Sequence, residues 1–129
     1  MIVVDASAIL EILLNTRAAT RVAGRLFAAG ETLHAPHLLD LEVVQVLRRY
    51  AAAGALTGER GDQALEDLAD LPLDRYPHHL FVDRIWELRH NLTAYDAAYV
   101  ALAEALAAPL VTRDMALARA RHRARVEVL

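Results

Sequence analysis

The stretch from Asn91 to Asp114, NLTAYDAAYVALAEALAAPLVTRD, places the tightest constraint on the fold of this chain. Thr93 stands where a helix N-cap is expected, and Asp96 follows it by three residues. At about 3.6 residues per turn, Asp96 lies at the N-terminal end of a small, apolar helix face. A proline then opens a short apolar strand, Leu110 to Thr112, which ends close to Asp114. The stretch therefore predicts a helix that carries Asp96 near its start and a buried strand that is followed by Asp114.

The N-terminus repeats this arrangement of a strand followed by an acid. The apolar run from Met1 to Val4 ends in Asp5, and Ser7 then opens an apolar helix. A strand followed directly by a helix is the first half of a βαβ unit, which places Asp5 at the carboxyl edge of a sheet, where ligands bind in open α/β folds. Asp5 could instead serve only as a helix cap, but Ser7 could fill that role and leave Asp5 free.

A third candidate acid lies inside a helix. We predict a long helix that starts at Pro36 and ends at Gly54. Glu42 falls within its apolar stripe, where a carboxylate is costly unless it is paired or bound to a cation. A glutamate at the border of the stripe that extends to water is the alternative. Asp40 points elsewhere on the helix and is expected to be a solvated neighbour.

The order of elements predicts an α/β fold in which helices flank a mainly parallel central sheet. Leu71 to Tyr76 is predicted as an edge strand, because Pro72 removes one ladder donor. With 129 residues, a single domain covering residues 1–129 is expected. The chain has no cysteine, no apolar run long enough to cross a membrane and no signal peptide, which predicts a cytoplasmic protein without disulfides or thiolate metal sites.

Carboxylates that share one edge of a sheet repel each other unless one takes up a proton or a cation neutralises them. The four candidates here are Asp5, Glu42, Asp96 and Asp114. Mg²⁺ or Mn²⁺ suits an all-oxygen site of this kind, and such an ion can activate water for attack on a phosphodiester. Competing chemistries have little support, because the chain lacks GxSxG, HExxH, GxGxxG and P-loop motifs.

The basic residues are all arginines, and five of them lie in the C-terminal segment: Arg113, Arg119, Arg121, Arg123 and Arg125. The formal net charge is −3, so the whole molecule does not attract nucleic acid. The arginine cluster could be a solvated helix face or a phosphate-binding patch, and the sequence favours neither.

Four segments together resemble the PIN-domain nucleases, and among them the VapC toxins of VapBC toxin–antitoxin pairs. The segments are MIVVDASAIL, LLDLEVVQVLRR, LTAYDAAYVALAEAL and LVTRDMALA, and the resemblance extends from Asp5 to about Arg119. It implies a three-layer α/β/α fold in which Asp5, Glu42, Asp96 and Asp114 are the catalytic acids. It further implies that Asp5, Asp96 and Asp114 bind Mg²⁺ or Mn²⁺.

The resemblance also implies a function, namely a type II toxin that is a Mg²⁺- or Mn²⁺-dependent endoribonuclease. It implies a homodimer and inhibition by a VapB antitoxin whose tail reaches the acidic site. Ser7 and Thr112 match the small polar residues beside the first and last acids. We expect these two residues and Arg113 to position the RNA substrate.

Two alternatives remain open at this point. The chain could be an RNA- or partner-binding module that keeps its acids for a structural cation or an arginine-bearing peptide. It could also be a related nuclease for DNA flaps or RNA processing, which a short single-domain chain disfavours.

Overall fold

The structure is a computed structural model that describes all 129 residues, in which five strands alternate with seven α-helices. The strands are β1 (Ile2–Val4), β2 (Leu33–Pro36), β3 (Leu73–Tyr76), β4 (Leu110–Thr112) and β5 (Val126–Val128). The helices are α1 (Ala6–Leu13), α2 (Ala19–Leu26), α3 (Leu38–Ala52), α4 (Gly58–Asp70), α5 (Val82–Glu87), α6 (Ala94–Leu106) and α7 (Met115–Arg119). A 3₁₀ turn, His78–Phe81, precedes α5.

All five strands form one parallel sheet in the order β3-β2-β1-β4-β5. The apolar runs of β1 and β4 pair side by side, with Val4 opposite Val111, and both strands are buried along their whole length. The chain leaves β1 toward β2 on one side and later returns to place β4 on the other. Strand order therefore reverses between β1 and β4, which is the position where open α/β sheets form a binding crevice.

Helices cover both faces of the sheet. The first four helices contact one another, whereas α6 packs on β1, β2 and β4 and is covered by α5. This division follows from the right-handed crossover rule, because the connections on the two sides of β1 run in opposite directions across the sheet. The predicted α/β architecture with a parallel sheet is thus confirmed, and β3 is an edge strand as expected. None of the helices has the length and apolarity needed to span a bilayer.

The predicted start of the long helix at Pro36 is wrong. Pro36 is the last residue of β2 and pairs with Tyr76 of β3, and α3 begins only at Leu38. The His37 N–H donates to the Tyr76 carbonyl at 2.8 Å, which continues the strand pairing past the proline. Pairing to a neighbouring strand thus overrides the local preference of proline for the first turn of a helix.

Asp40 is not simply a solvated residue, contrary to expectation. The guanidinium of Arg75 on β3 donates to both of its carboxylate oxygens, at 2.7 and 2.9 Å. This bidentate pair joins α3 to the edge strand, and it leaves Glu42 as the acid of α3 that is free to face the cleft described below.

Candidate active site

A cleft of about 560 Å³ opens at the carboxyl edge of the sheet, and all four predicted acids line it. Each acid comes from a different part of the fold. Asp5 follows β1, Glu42 lies on α3, Asp96 is in the first turn of α6, and Asp114 caps α7 just after β4. The topology therefore brings together residues that are more than 100 positions apart in the chain.

Asp5 is the most buried of the acids, with only 7% of its surface exposed. Its Oδ1 accepts hydrogen bonds from the Ser7 hydroxyl at 2.6 Å and from the Ala8 N–H at 3.2 Å, and its Oδ2 accepts one from Thr112 at 2.5 Å. Burial raises the pKa of Asp5, and these three donors oppose the rise. Asp5 is thus the N-cap of α1, a role that Ser7 could also have filled, and it still lines the cleft.

Ser7 and Thr112 connect Asp5 to the turn that carries Asp114. The Ser7 hydroxyl accepts a hydrogen bond from the Arg113 N–H at 2.9 Å, and the Thr112 hydroxyl accepts one from the Asp114 N–H at 2.9 Å. Ser7 lines the cleft, whereas Thr112 has no exposed surface. Any influence of Thr112 on a substrate must therefore pass through the two acids that it holds.

Asp96 stands at the third position of α6, where Thr93 caps the helix by accepting the Asp96 N–H at 3.1 Å. Burial raises the pKa of the Asp96 carboxyl, and the negative charges of Asp114 and Asp5 raise it further. Asp114 is itself exposed, and its Oδ1 accepts the Ala116 N–H at 2.9 Å. The negative charges of Asp5, Asp96 and Asp114 are therefore close enough to repel one another.

Glu42 faces this group from α3 and is held by a residue that the sequence analysis did not select. The Tyr99 hydroxyl donates to Glu42 Oε1 at 2.6 Å, and Tyr99 is only 1% exposed. Burial raises the pKa of Glu42, the Tyr99 hydrogen bond opposes this, and the charges of Asp96 and Asp5 add to the rise. The signal for Tyr99 was available, because it lies three residues after Asp96 and hence next to it on the surface of α6.

With this geometry established, comparison with known proteins assigns the family. A family profile described as "PIN domain" matches residues 2–123. The chain belongs to the PIN-domain family.

Relatives of this PIN domain include two proteins of Mycobacterium tuberculosis. Ribonuclease VapC9 is 50% identical over 117 residues, which cover 91% of this chain and 88% of that protein. Ribonuclease VapC12 is 41% identical over 130 residues, covering 100% of this chain and 99% of that protein. Among solved structures, VapBC2 from Rickettsia felis, bound to a DNA fragment from its promoter, matches with a TM-score of 0.72 and 15% identity over 98% of both chains, a likeness of fold.

The acids of this PIN domain fit a divalent cation in donor chemistry and in charge. All four provide hard oxygen ligands, which Mg²⁺ and Mn²⁺ prefer. None of them forms a salt bridge, although six arginines of the chain pair with other acids. No group of three or more His, Cys, Asp or Glu side chains is already arranged to hold a metal ion.

Arg113, which was predicted to position RNA, lies outside the cleft of the PIN domain, and so does the C-terminal arginine cluster. The guanidinium of Arg113 binds Glu11 Oε1 at 3.4 Å and the backbone oxygen of Leu129. Arg123 and Arg125 lie beside Pro109, near the start of β4 and thus at the opposite end of the sheet from the acids. An RNA strand that reaches both the acids and these two arginines would have to pass around the domain.

Proposed function

We propose that this PIN domain is the toxin of a VapBC-type toxin–antitoxin pair and acts as an endoribonuclease in the cytoplasm. The observation that carries the proposal is the cleft in which four carboxylates without salt bridges face one another. Relatives at 41 to 50% identity, whose names describe ribonucleases, support RNA as the substrate. A binding module would have no need for unpaired acids from four separate parts of the fold.

The proposed reaction is hydrolysis of an RNA phosphodiester with the help of Mg²⁺ or Mn²⁺. Such an ion, held by Asp5, Asp96 and Asp114, would lower the pKa of a water and neutralise charge that develops on the phosphate. Asp5 contributes an orientation that three hydrogen bonds fix before substrate arrives. Glu42, restrained by Tyr99, closes the cleft from the opposite wall.

Purified protein incubated with total RNA and Mn²⁺ tests this proposal. We expect cleavage that EDTA abolishes and that Asp5→Asn and Asp96→Asn each reduce by at least about a hundredfold. Asp70→Asn is the matched control, because Asp70 is an exposed aspartate at the end of α4, outside the cleft. Full cleavage by both cleft variants would refute the catalytic assignment, and RNA binding without cleavage would favour the binding-module alternative.

We further propose a VapB-type antitoxin as partner and a homodimer as the state of the toxin. The fold-level match to the VapBC2 structure supports the first proposal. For the second, Val82 and Trp86 are exposed one turn apart on α5 and offer an apolar surface for self-association. Light scattering of the purified protein tests the dimer, and a monomer at all concentrations would refute it.

A further inference from the structure

One wall of the cleft carries a basic residue that forms no ion pair with the rest of the protein. Glu42, Gln45, Val46 and Arg49 of α3 line the cleft, and Arg49 is the only basic residue among all the lining residues. Arg49 is an exposed residue and its guanidinium forms no ion pair, whereas Arg25, Arg75 and Arg84 are each paired with a carboxylate.

The spacing on α3 sets Arg49 at a defined distance from the acids. Arg49 follows Glu42 by seven positions, so both lie on the same helix face, about 10 Å apart along the axis. The cleft is thus acidic at one end and basic at the other. The acids would repel a polyanion whose reacting phosphate lies among them. A guanidinium further along the cleft would bind the adjacent part of the same polyanion.

The rim of the cleft also presents an aromatic ring. Tyr95 lines the cleft immediately before Asp96, and 66% of its surface is exposed. No hydrogen bond or ring contact in the structure occupies this side chain. An exposed aromatic residue beside a reactive site is suited to stack on an unpaired base, and such stacking tolerates any base.

We propose that Arg49 binds an RNA phosphate one or two nucleotides from the one that is cleaved, while Tyr95 stacks on a base next to the cleavage site. This inference rests on the proposed ribonuclease function and specifies how that site recognises its substrate. It implies that the substrate enters as a single strand along α3, since the stacked base must be unpaired.

The test compares Arg49→Gln with Arg48→Gln. Arg48 is the adjacent arginine on α3, is also exposed and does not line the cleft. In cleavage assays with Mn²⁺, we expect Arg49→Gln to raise KM about five- to tenfold with kcat nearly unchanged, because a distant phosphate contact is the same in ground and transition states. Arg48→Gln should leave both constants as in the wild type.

Binding of a short, fluorescein-labelled single-stranded RNA of mixed sequence gives a second readout. In an Asp96→Asn background, which prevents turnover, Arg49→Gln should reduce the slope of log K against log salt by about 0.7, the value for one single-strand phosphate. Tyr95→Ala should weaken binding about tenfold, and Tyr95→Phe should restore it, because stacking needs only the ring.

The outcomes separate this inference from the proposed function. If the wild type cleaves RNA and Arg49→Gln behaves as Arg48→Gln does, Arg49 has no role in substrate binding, while the ribonuclease proposal stands. If Arg49→Gln weakens only the complex with a VapB-type antitoxin, the residue recognises protein and the inference is overturned. A wild type that neither binds nor cleaves RNA overturns both proposals.

Discussion

Replacing Thr112 with valine removes a hydroxyl that is hydrogen-bonded to two of the cleft acids. Thr112 itself is fully buried. The Thr112 hydroxyl donates to Asp5 Oδ2 at 2.5 Å and accepts the Asp114 N–H at 2.9 Å. Valine has nearly the same shape, so Thr112→Val changes the hydrogen bonding and leaves the packing of β4 almost intact. The pKa of Asp5, already raised by burial, should rise further when one of its three donors is lost.

The magnitude follows from the burial of each partner. A hydrogen bond to a charged group contributes about 1.5–3 kcal/mol, and Asp5, only 7% exposed, recovers little of a lost bond from water. The Asp114 N–H belongs to an exposed residue that water can reach, so its loss adds little. We therefore expect Thr112→Val to lower the free energy of unfolding by about 2 kcal/mol.

Thr112→Ser is the matched control, because it keeps the hydroxyl and removes one buried methyl group, at a cost of about 1 kcal/mol. Thermal unfolding in EDTA measures both variants free of any bound cation. For a chain of this size, 1 kcal/mol corresponds to about 4 °C in Tm, so valine should lower Tm by about 8 °C and serine by about 4 °C. A valine variant at least as stable as the serine variant would refute the argument that Thr112 stabilises the buried carboxylate.

Three further predictions concern the acids and their partners. Tyr99→Phe should reduce kcat about tenfold through loss of the hydrogen bond that orients Glu42, and unchanged kinetics would remove Tyr99 from the site. Mn²⁺ at about 100 times its Kd should add about 2.7 kcal/mol to the stability of the wild type, as measured by denaturant unfolding; an equal gain in Asp96→Asn would place the ion elsewhere. The hydrogen bond from Arg25 holds the pKa of Glu127 below its usual range. The ion pair therefore stabilises the folded protein at pH values above the ordinary glutamate pKa, and this stabilisation is lost as the pH falls through the lowered pKa of Glu127. Arg25→Gln should therefore cost about 1 kcal/mol at neutral pH, with a difference from the wild type that shrinks below about pH 4; a difference independent of pH would exclude the ion pair as its cause.

The strand-end acids could be predicted because their signals are local. An apolar run that ends in an acid, such as the one before Asp5, specifies both a strand and the edge at which its acid emerges. The Thr93 cap likewise fixes the start of α6 and hence the position of Asp96. Parallel pairing of β1 with β4 then follows from the order of elements, and it brings Asp114 to the same edge.

The features that sequence reasoning missed depend on contacts between distant segments. Pro36 remains in a strand because β3, some 40 residues later, pairs with it, and Asp40 is bound by an arginine of that same strand. No periodicity within the helix could reveal either partner. The Tyr99 hydroxyl likewise meets a carboxylate of α3, and the position of Tyr99 on α6 does not reveal that partner.

The arginines of the chain form their ion pairs outside the cleft, and none of them pairs with a cleft acid. Arg113 lies between Thr112 and Asp114, yet its guanidinium donates to Glu11 and to the backbone oxygen of Leu129. Had it paired with Asp114, it would have relieved the repulsion with a permanent charge and blocked the place of a cation. The buried acid is instead stabilised by neutral hydroxyl and backbone donors, which orient a carboxylate without cancelling its charge. The repulsion that remains in the cleft would favour the proposed binding of a divalent ion, and an arginine paired with one of the cleft acids would weaken it.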